Sequence, residues 1–79
     1  MATAEPPIRA GDVVLVSRAA SVQFAGAAGF AFLVVEVDTR PTYAGWVWLD
    51  GYQLDERGRT VERRRIFVRR DGLRRPRPT

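Results

Sequence analysis

The sequence has no cysteine, no histidine and no lysine. Without cysteine there is no disulfide and no thiolate metal site, although this absence says nothing about redox compartment. Without histidine the commonest general base and the commonest metal ligand are missing, and neither Ser17 nor Ser21 has an imidazole to activate it. Without lysine the glycines of the Ala/Gly-rich stretch, Gly26 and Gly29, cannot belong to a phosphate-cradling loop of the P-loop type. Carboxylates are present at Glu36, Asp38, Asp50, Asp55 and Glu56. Nothing in their spacing fixes two of them in one cleft, and a turn accounts for Asp55-Glu56. With these parts missing, no enzymatic activity, metal or cofactor is expected.

Long hydrophobic runs are also absent. The longest stretch free of polar side chains covers residues 24–35, twelve positions, whereas a membrane-spanning helix needs about 20. The first dozen residues, MATAEPPIRAGD, lack the basic-then-apolar layout of a secretory leader. A soluble cytoplasmic protein without membrane contact is the expectation. Seventy-nine residues make a single domain with a marginal core, and the 46% hydrophobic content argues for a folded chain.

What the sequence has in excess is arginine. All thirteen basic residues are arginine, which together with the heavy Ala, Gly and Val usage looks first like the codon bias of a GC-rich genome. Their distribution is more informative than their type. Residues 1–56 carry three Arg against seven acids, net −4, while residues 57–79 carry ten Arg against two acids, net +8. A basic segment on an acidic body points to a polyanionic or acidic partner.

Hydrophobic patterning predicts β-structure throughout. Residues 1–7 read as a disordered tail closed by Pro6-Pro7, and Gly11-Asp12 opens a first strand over 13–18, VVLVSR. Residues 19–29 read as a long loop packed onto the body, because Gly26 and Gly29 weaken the helix that alanine favours. The second strand covers 30–38, with Leu33, Val35 and Val37 on one face and Phe32, Val34 and Glu36 on the other. Residues 69–72, RRDG, form a turn, Leu73 and its neighbours a short closing strand, and residues 76–79 a proline-extended tail.

Between these lies a hairpin over 45–68 that holds both tryptophans. Asp55-Glu56-Arg57-Gly58 has the residues of a type I turn, with Gly58 able to close it in the left-handed conformation. Setting Asp55 opposite Arg59 pairs Leu54 with Thr60, Tyr52 with Glu62, Asp50 with Arg64, Trp48 with Ile66 and Trp46 with Val68. The Asp50–Arg64 pair of opposite charges favours this register, although a slip of one residue reverses every facing. Gly51 in mid-strand marks a bend or bulge where a small sheet coils.

Five short strands over residues 8–75, opened by Gly11-Asp12 and with a long loop after the first strand, resemble an SH3-like small β-barrel of the KOW and Tudor kind. The resemblance implies an all-β, five-stranded barrel and a binding module. The chain lacks the glycine turn of KOW modules, and no aromatic cage transfers residue by residue. The segments PTYAGWVWLDGYQLDERG and ERRRIFVRRDGL are similar to short proteins encoded on actinobacterial mobile elements, a likeness that implies no particular activity.

Two constellations carry the functional expectation. The aromatic set is Tyr43, Trp46, Trp48 and Tyr52. It is either a platform for bases or a peptide proline, centred on Tyr43 and Trp46, or part of the core. Tryptophan in a small domain favours the core, and Tyr43, in a loop, is the candidate for exposure. The arginine set includes Arg63 and Arg65 on one face of the fourth strand, followed by Arg69, Arg70, Arg74 and Arg75. Such a row can track a phosphate backbone, or it can be a solvated edge strand that uses charge against aggregation. The function expected is a nucleic-acid-associated accessory or regulatory module that binds DNA or RNA through these arginines. The alternative is a protein-interaction adaptor docking an extended peptide on Tyr43 and Trp46. Either acts as a monomer or small homo-oligomer.

Overall fold

β-branched and aromatic side chains build four strands in a computed structural model that describes residues 7–21 and 29–76. They are β1 (Val13–Val16), β2 (Phe30–Val37), β3 (Trp46–Leu54) and β4 (Thr60–Arg69), followed by a single-turn 3-10 helix, Arg70–Gly72. The strands form one antiparallel sheet in the order β1-β2-β3-β4. Most of the loop expected at 19–29, together with the outer parts of both tails, lies outside the described residues. Ala20 and Ser21, at the start of that loop, are buried. The protein is thus all-β. The expected fifth strand is reduced to one isolated bridge, Leu15 to Arg74. No helix among the described residues is long and apolar enough to cross a membrane.

Two bulges shape the sheet. In β2 the pairing jumps between Val34 and Glu36, so Val34 faces Gly51 while Glu36 faces Asp50 and Val37 faces Leu49. Val35 is left out of the ladder and exposed, and the facing reverses beyond it. Phe32 and Val34 enter the core, Glu36 turns outward, and Val37 packs against the core from the face that the sequence pattern had given to Glu36. A bulge bends its strand and increases the local twist. This one lies opposite Gly51, where a Cβ would stand 2.0 Å from the Leu33 carbonyl oxygen and 2.9 Å from the Phe32 ring. Glycine here lets the backbones of β2 and β3 close on each other.

The second bulge corrects the hairpin register. The turn forms as its residues dictate: the Gly58 N–H donates to the Asp55 carbonyl (2.9 Å), Gly58 has φ 81°, and Asp55 Oδ1 accepts from the N–H groups of Arg57 and Arg59. Leu54 faces Thr60 as expected, but Val61 then drops out and Gln53 pairs with Glu62. Every later pair shifts by one: Tyr52 with Arg63, Asp50 with Arg65, Trp48 with Phe67 and Trp46 with Arg69. The expected pairs Tyr52–Glu62, Asp50–Arg64, Trp48–Ile66 and Trp46–Val68 do not form. The shift matches apolar to apolar on the inner face, Val47 with Val68 and Leu49 with Ile66, at the cost of one unpaired residue.

The core consists of Val14, Val16, Phe32, Val34, Val47, Leu49, Ile66 and Val68, with Ala20 and Leu73 added from the connections. Both tryptophans lie on the opposite face of β3, half-buried, so the Trp pair is not the core. Polarity decides the matter. The face that carries Trp46 and Trp48 also carries Asp50, whose burial without a charged partner is costly, whereas Val47, Leu49 and Gly51 bury nothing polar in their side chains.

Both edges of the sheet are met by chain from elsewhere. Leu15 exchanges two backbone hydrogen bonds with Arg74 (2.6 and 3.2 Å), and the Arg69 N–H donates to the Ala20 carbonyl (2.7 Å). Gly72 is buried against Ala19, with the place of a Cβ 2.0 Å from that carbonyl oxygen. The 3-10 turn is thereby seated on the segment that leaves β1.

Candidate nucleic-acid interface

The corrected register gathers rings and guanidinium groups on the outer face of β3 and β4. Trp46 stacks on Phe67 with centroids 5.1 Å apart and planes 22° apart, and Trp48 lies 4.9 Å from the same ring. The Arg69 guanidinium sits 5.5 Å from the Trp46 ring, that of Arg65 5.1 Å from Trp48, and that of Arg63 5.7 Å from Tyr52. The face therefore reads Arg69, Trp46, Phe67, Trp48, Arg65, Arg63, Tyr52. Arginine suits this arrangement, since its planar group stacks on an aromatic face while its N–H groups stay free to donate sideways. Phe67 belongs to no aromatic set suggested by the sequence. It shares a strand face with Arg63, Arg65 and Arg69, a parity legible in β4 alone, but only the shifted register brings it to the tryptophans.

Two carboxylates neutralise part of this row. Asp50 accepts from Arg63 at Nε and Nη2 (3.0 and 3.3 Å), which holds its carboxyl below the usual range and raises the guanidinium of Arg63. Asp38, with a side chain only 13% exposed, accepts from Arg40 through three side-chain contacts and one backbone N–H, and also from Arg65. The Arg40 hydrogen bonds, seconded by Arg65, push the Asp38 carboxyl far below the ordinary carboxylate range. Asp38 is itself fixed, because its N–H donates to the Trp48 carbonyl (3.0 Å).

The remaining arginines of the set lie toward the other end of β4. Arg69 ends that strand and Arg70 opens the 3-10 turn, its N–H donating to the Gly45 carbonyl (2.8 Å). The Arg74 guanidinium donates to the carbonyls of Asp71 and Leu73. Among the described residues none of these three has a carboxylate partner within ion-pair distance. Arg75, by contrast, is paired with Asp12 (3.2 Å) and reaches the Pro7 carbonyl. The Asp12 carboxyl is lowered by the Arg9 N–H and then by Arg75.

Two surface concavities meet at Arg70. One, of about 520 Å³, is lined by Pro7, Ile8, Asp71, Leu73, Arg74 and Arg75 along with Arg70. The other, of about 310 Å³, includes Asp38, Arg40, Tyr43 and Trp46. Tyr43 is 78% exposed. Its loop is nevertheless held in place: the Trp46 N–H donates to the Tyr43 carbonyl (3.0 Å), the Thr42 hydroxyl donates to the Trp46 carbonyl (2.7 Å), and Gly45 turns the chain with φ 83°. Of the residues expected from the sequence, Tyr43, Trp46, Arg69 and Arg70 therefore come together, with Arg74 and Arg75 adjoining through Arg70. Arg63 and Arg65 are held by acidic partners, Arg65 by the Asp38 that lines the Tyr43 concavity.

No known protein family, curated protein or solved structure matches this chain. Among the described residues, no three acidic, histidine or cysteine side chains converge into a group able to hold a metal ion. The arrangement offers donors, positive charge and one exposed ring.

Proposed function

We propose that the protein is a non-enzymatic nucleic-acid-associated module that contacts phosphates through Arg69, Arg70 and Arg74. The observation carrying this reading is that three guanidinium groups lie along one short stretch of backbone without a carboxylate partner among the described residues. Acids hold Arg40, Arg59, Arg63, Arg65 and Arg75; Arg9, Arg18 and Arg57 also lack an ion pair among the described residues, but they lie singly on either side of β1 and in the hairpin turn, not clustered. A cation already hydrogen-bonded to a carboxylate must give up that partner to bind a phosphate, so Arg63 and Arg65 contribute less than their number suggests. Asp71 tempers the site with one exposed negative charge. We read the body as an SH3-like small barrel. The 3-10 turn after β4 and the Leu15–Arg74 bridge, standing where a fifth strand would close the sheet, support that reading.

The test is fluorescence anisotropy with labelled DNA and RNA oligonucleotides over a range of salt. Each phosphate contact adds about 0.7–0.9 to the slope of log K against log salt, so replacing Arg69, Arg70 and Arg74 with Gln should lower the slope by about 2–3. Replacing Arg63 and Arg65 should change it by less than 1. If the wild-type protein binds no oligonucleotide at low salt, the reading is wrong and the peptide-docking adaptor replaces it. Support for that adaptor is thinner, because the Trp46 ring it needs is packed against Phe67 and Arg69.

A further inference from the structure

The rings of β3 and β4 differ from Tyr43 in one respect that bears on ligand choice. Trp46, Phe67 and Trp48 lie against one another and against the guanidinium groups of Arg69 and Arg65. A base cannot stack on a ring face already in use. Tyr43 has no ring or guanidinium partner among the described residues and is the most exposed large apolar side chain there. An aromatic ring held in water by an ordered turn gains nothing from burial, so its place is not explained by packing. The turn that holds it is bonded to Arg70, one of the three arginines without a carboxylate partner among the described residues, through Arg70 N–H to the Gly45 carbonyl. Tyr43 and Arg70 also line the same concavity, whose roughly 310 Å³ lies at the small end of ligand-sized sites.

From this juxtaposition we infer that the site takes single-stranded nucleic acid, with one unpaired base on the Tyr43 ring and the flanking phosphates on Arg70 and its neighbours. The inference rests on the nucleic-acid reading above and narrows it. In a duplex the faces of the bases are covered by their neighbours and only the backbone and groove edges are offered. A single strand can give a base and a phosphate at once to a ring and a cation this near each other. The one acid in the concavity, Asp38, does not repel the backbone, because Arg40 and Arg65 hold it in ion pairs.

The experiment compares Tyr43→Ala and Tyr43→Phe with wild type on labelled single strands and on the matching duplex, at one low salt concentration. Tyr43→Ala should weaken single-strand binding by about 5- to 150-fold, the loss expected of one stacked base. Tyr43→Phe should retain it, and duplex binding should be unchanged in both variants. Equal losses on single strand and duplex, or no loss on either, would overturn the inference while leaving phosphate binding intact. No wild-type binding to any oligonucleotide would remove both readings together. Tyr43 is exposed and outside the core, so all three proteins should fold.

Discussion

Gly51→Ala adds one methyl group where the sheet has no room for it. Ordinarily this change in a strand is neutral or helpful, because removing a glycine restrains the unfolded chain by about 0.4–1 kcal/mol. Here the new Cβ would stand 2.0 Å from the Leu33 carbonyl oxygen and 3.0 Å from its carbon. Both obstacles are backbone, so no rotamer change relieves them and β2 must move away from β3. Overpacking of this kind costs about 1–3 kcal/mol, and one ladder hydrogen bond lost in the separation adds about 1. Subtracting the chain-entropy gain leaves a net loss of roughly 1–3.5 kcal/mol, or a fall in Tm of about 4–28 °C in a domain of this size. The assay is urea unfolding followed by tryptophan fluorescence, with Cm and m read separately. Gly58 supplies the contrast: it has φ 81° and nothing within 4 Å of its would-be Cβ. Gly58→Ala should therefore destabilise through its dihedral alone, by about 1–2 kcal/mol, and Gly58→Asn should recover most of that. No such rescue is available at position 51. A Gly51→Ala protein with the wild-type Cm would show that the two backbones do not meet and that the bulge opposite has another cause.

Further outcomes separate the two faces of β3 and the carboxylates. Leu49→Ala empties a fully buried site and should cost about 2–5 kcal/mol. Trp48→Ala, on the half-buried outer face, should cost about 2 kcal/mol despite the larger side chain, a ranking that paired denaturant melts will check. Asp12, Asp38 and Asp50 all have folded-state values depressed below the model-compound 3.8. Depressed carboxylates stabilise fully above the unfolded value, and that contribution is lost as pH falls through about 4 and below. Tm should therefore be flat from about pH 5 to 8, where no histidine titrates, and should drop on acidification. Asp38→Asn should make the drop shallower.

The four strands of the sheet, the hairpin turn and the asymmetry of charge were legible, because they depend on neighbours in sequence; the expected fifth strand formed only a single bridge. Asp55 and Gly58 specify their turn through bonds spanning a few residues, and no distant contact competes. The two bulges were not legible. Val35 and Val61 are good strand formers, and nothing local distinguishes them from the valines that stay in the ladder. Each is left out because of the strand opposite: Val61 so that Ile66 and Val68 meet Leu49 and Val47, and Val35 where Gly51 lets the sheet bend. The fate of the tryptophans was half legible. Size and hydrophobicity argue for the core, but Asp50 on the same face is the better signal, since one carboxylate outweighs the burial gain of a side chain that can pack usefully on the outside. Which arginines are free of acids was beyond the sequence, because Asp38 meets Arg65 across 27 positions and Asp12 meets Arg75 across 63.

The bridge between Leu15 and Arg74 sets an order of events for the growing polypeptide. The β3–β4 hairpin closes around a local turn and can assemble early. β1 can then add to β2, yet the outer N–H and C=O of Leu15 have no partner until residue 74 has been made, and the Asp12–Arg75 pair waits one residue longer. Loop closure over such separations is slow and comes after local structure. A ribosome carrying all of β4 but not the residues beyond it would hold a sheet with an unfinished first edge, the kind of edge that invites pairing with another chain. Completion of this small domain is thus tied to the residues just beyond β4, and the residues that finish the edge include one of the arginines offered to phosphate.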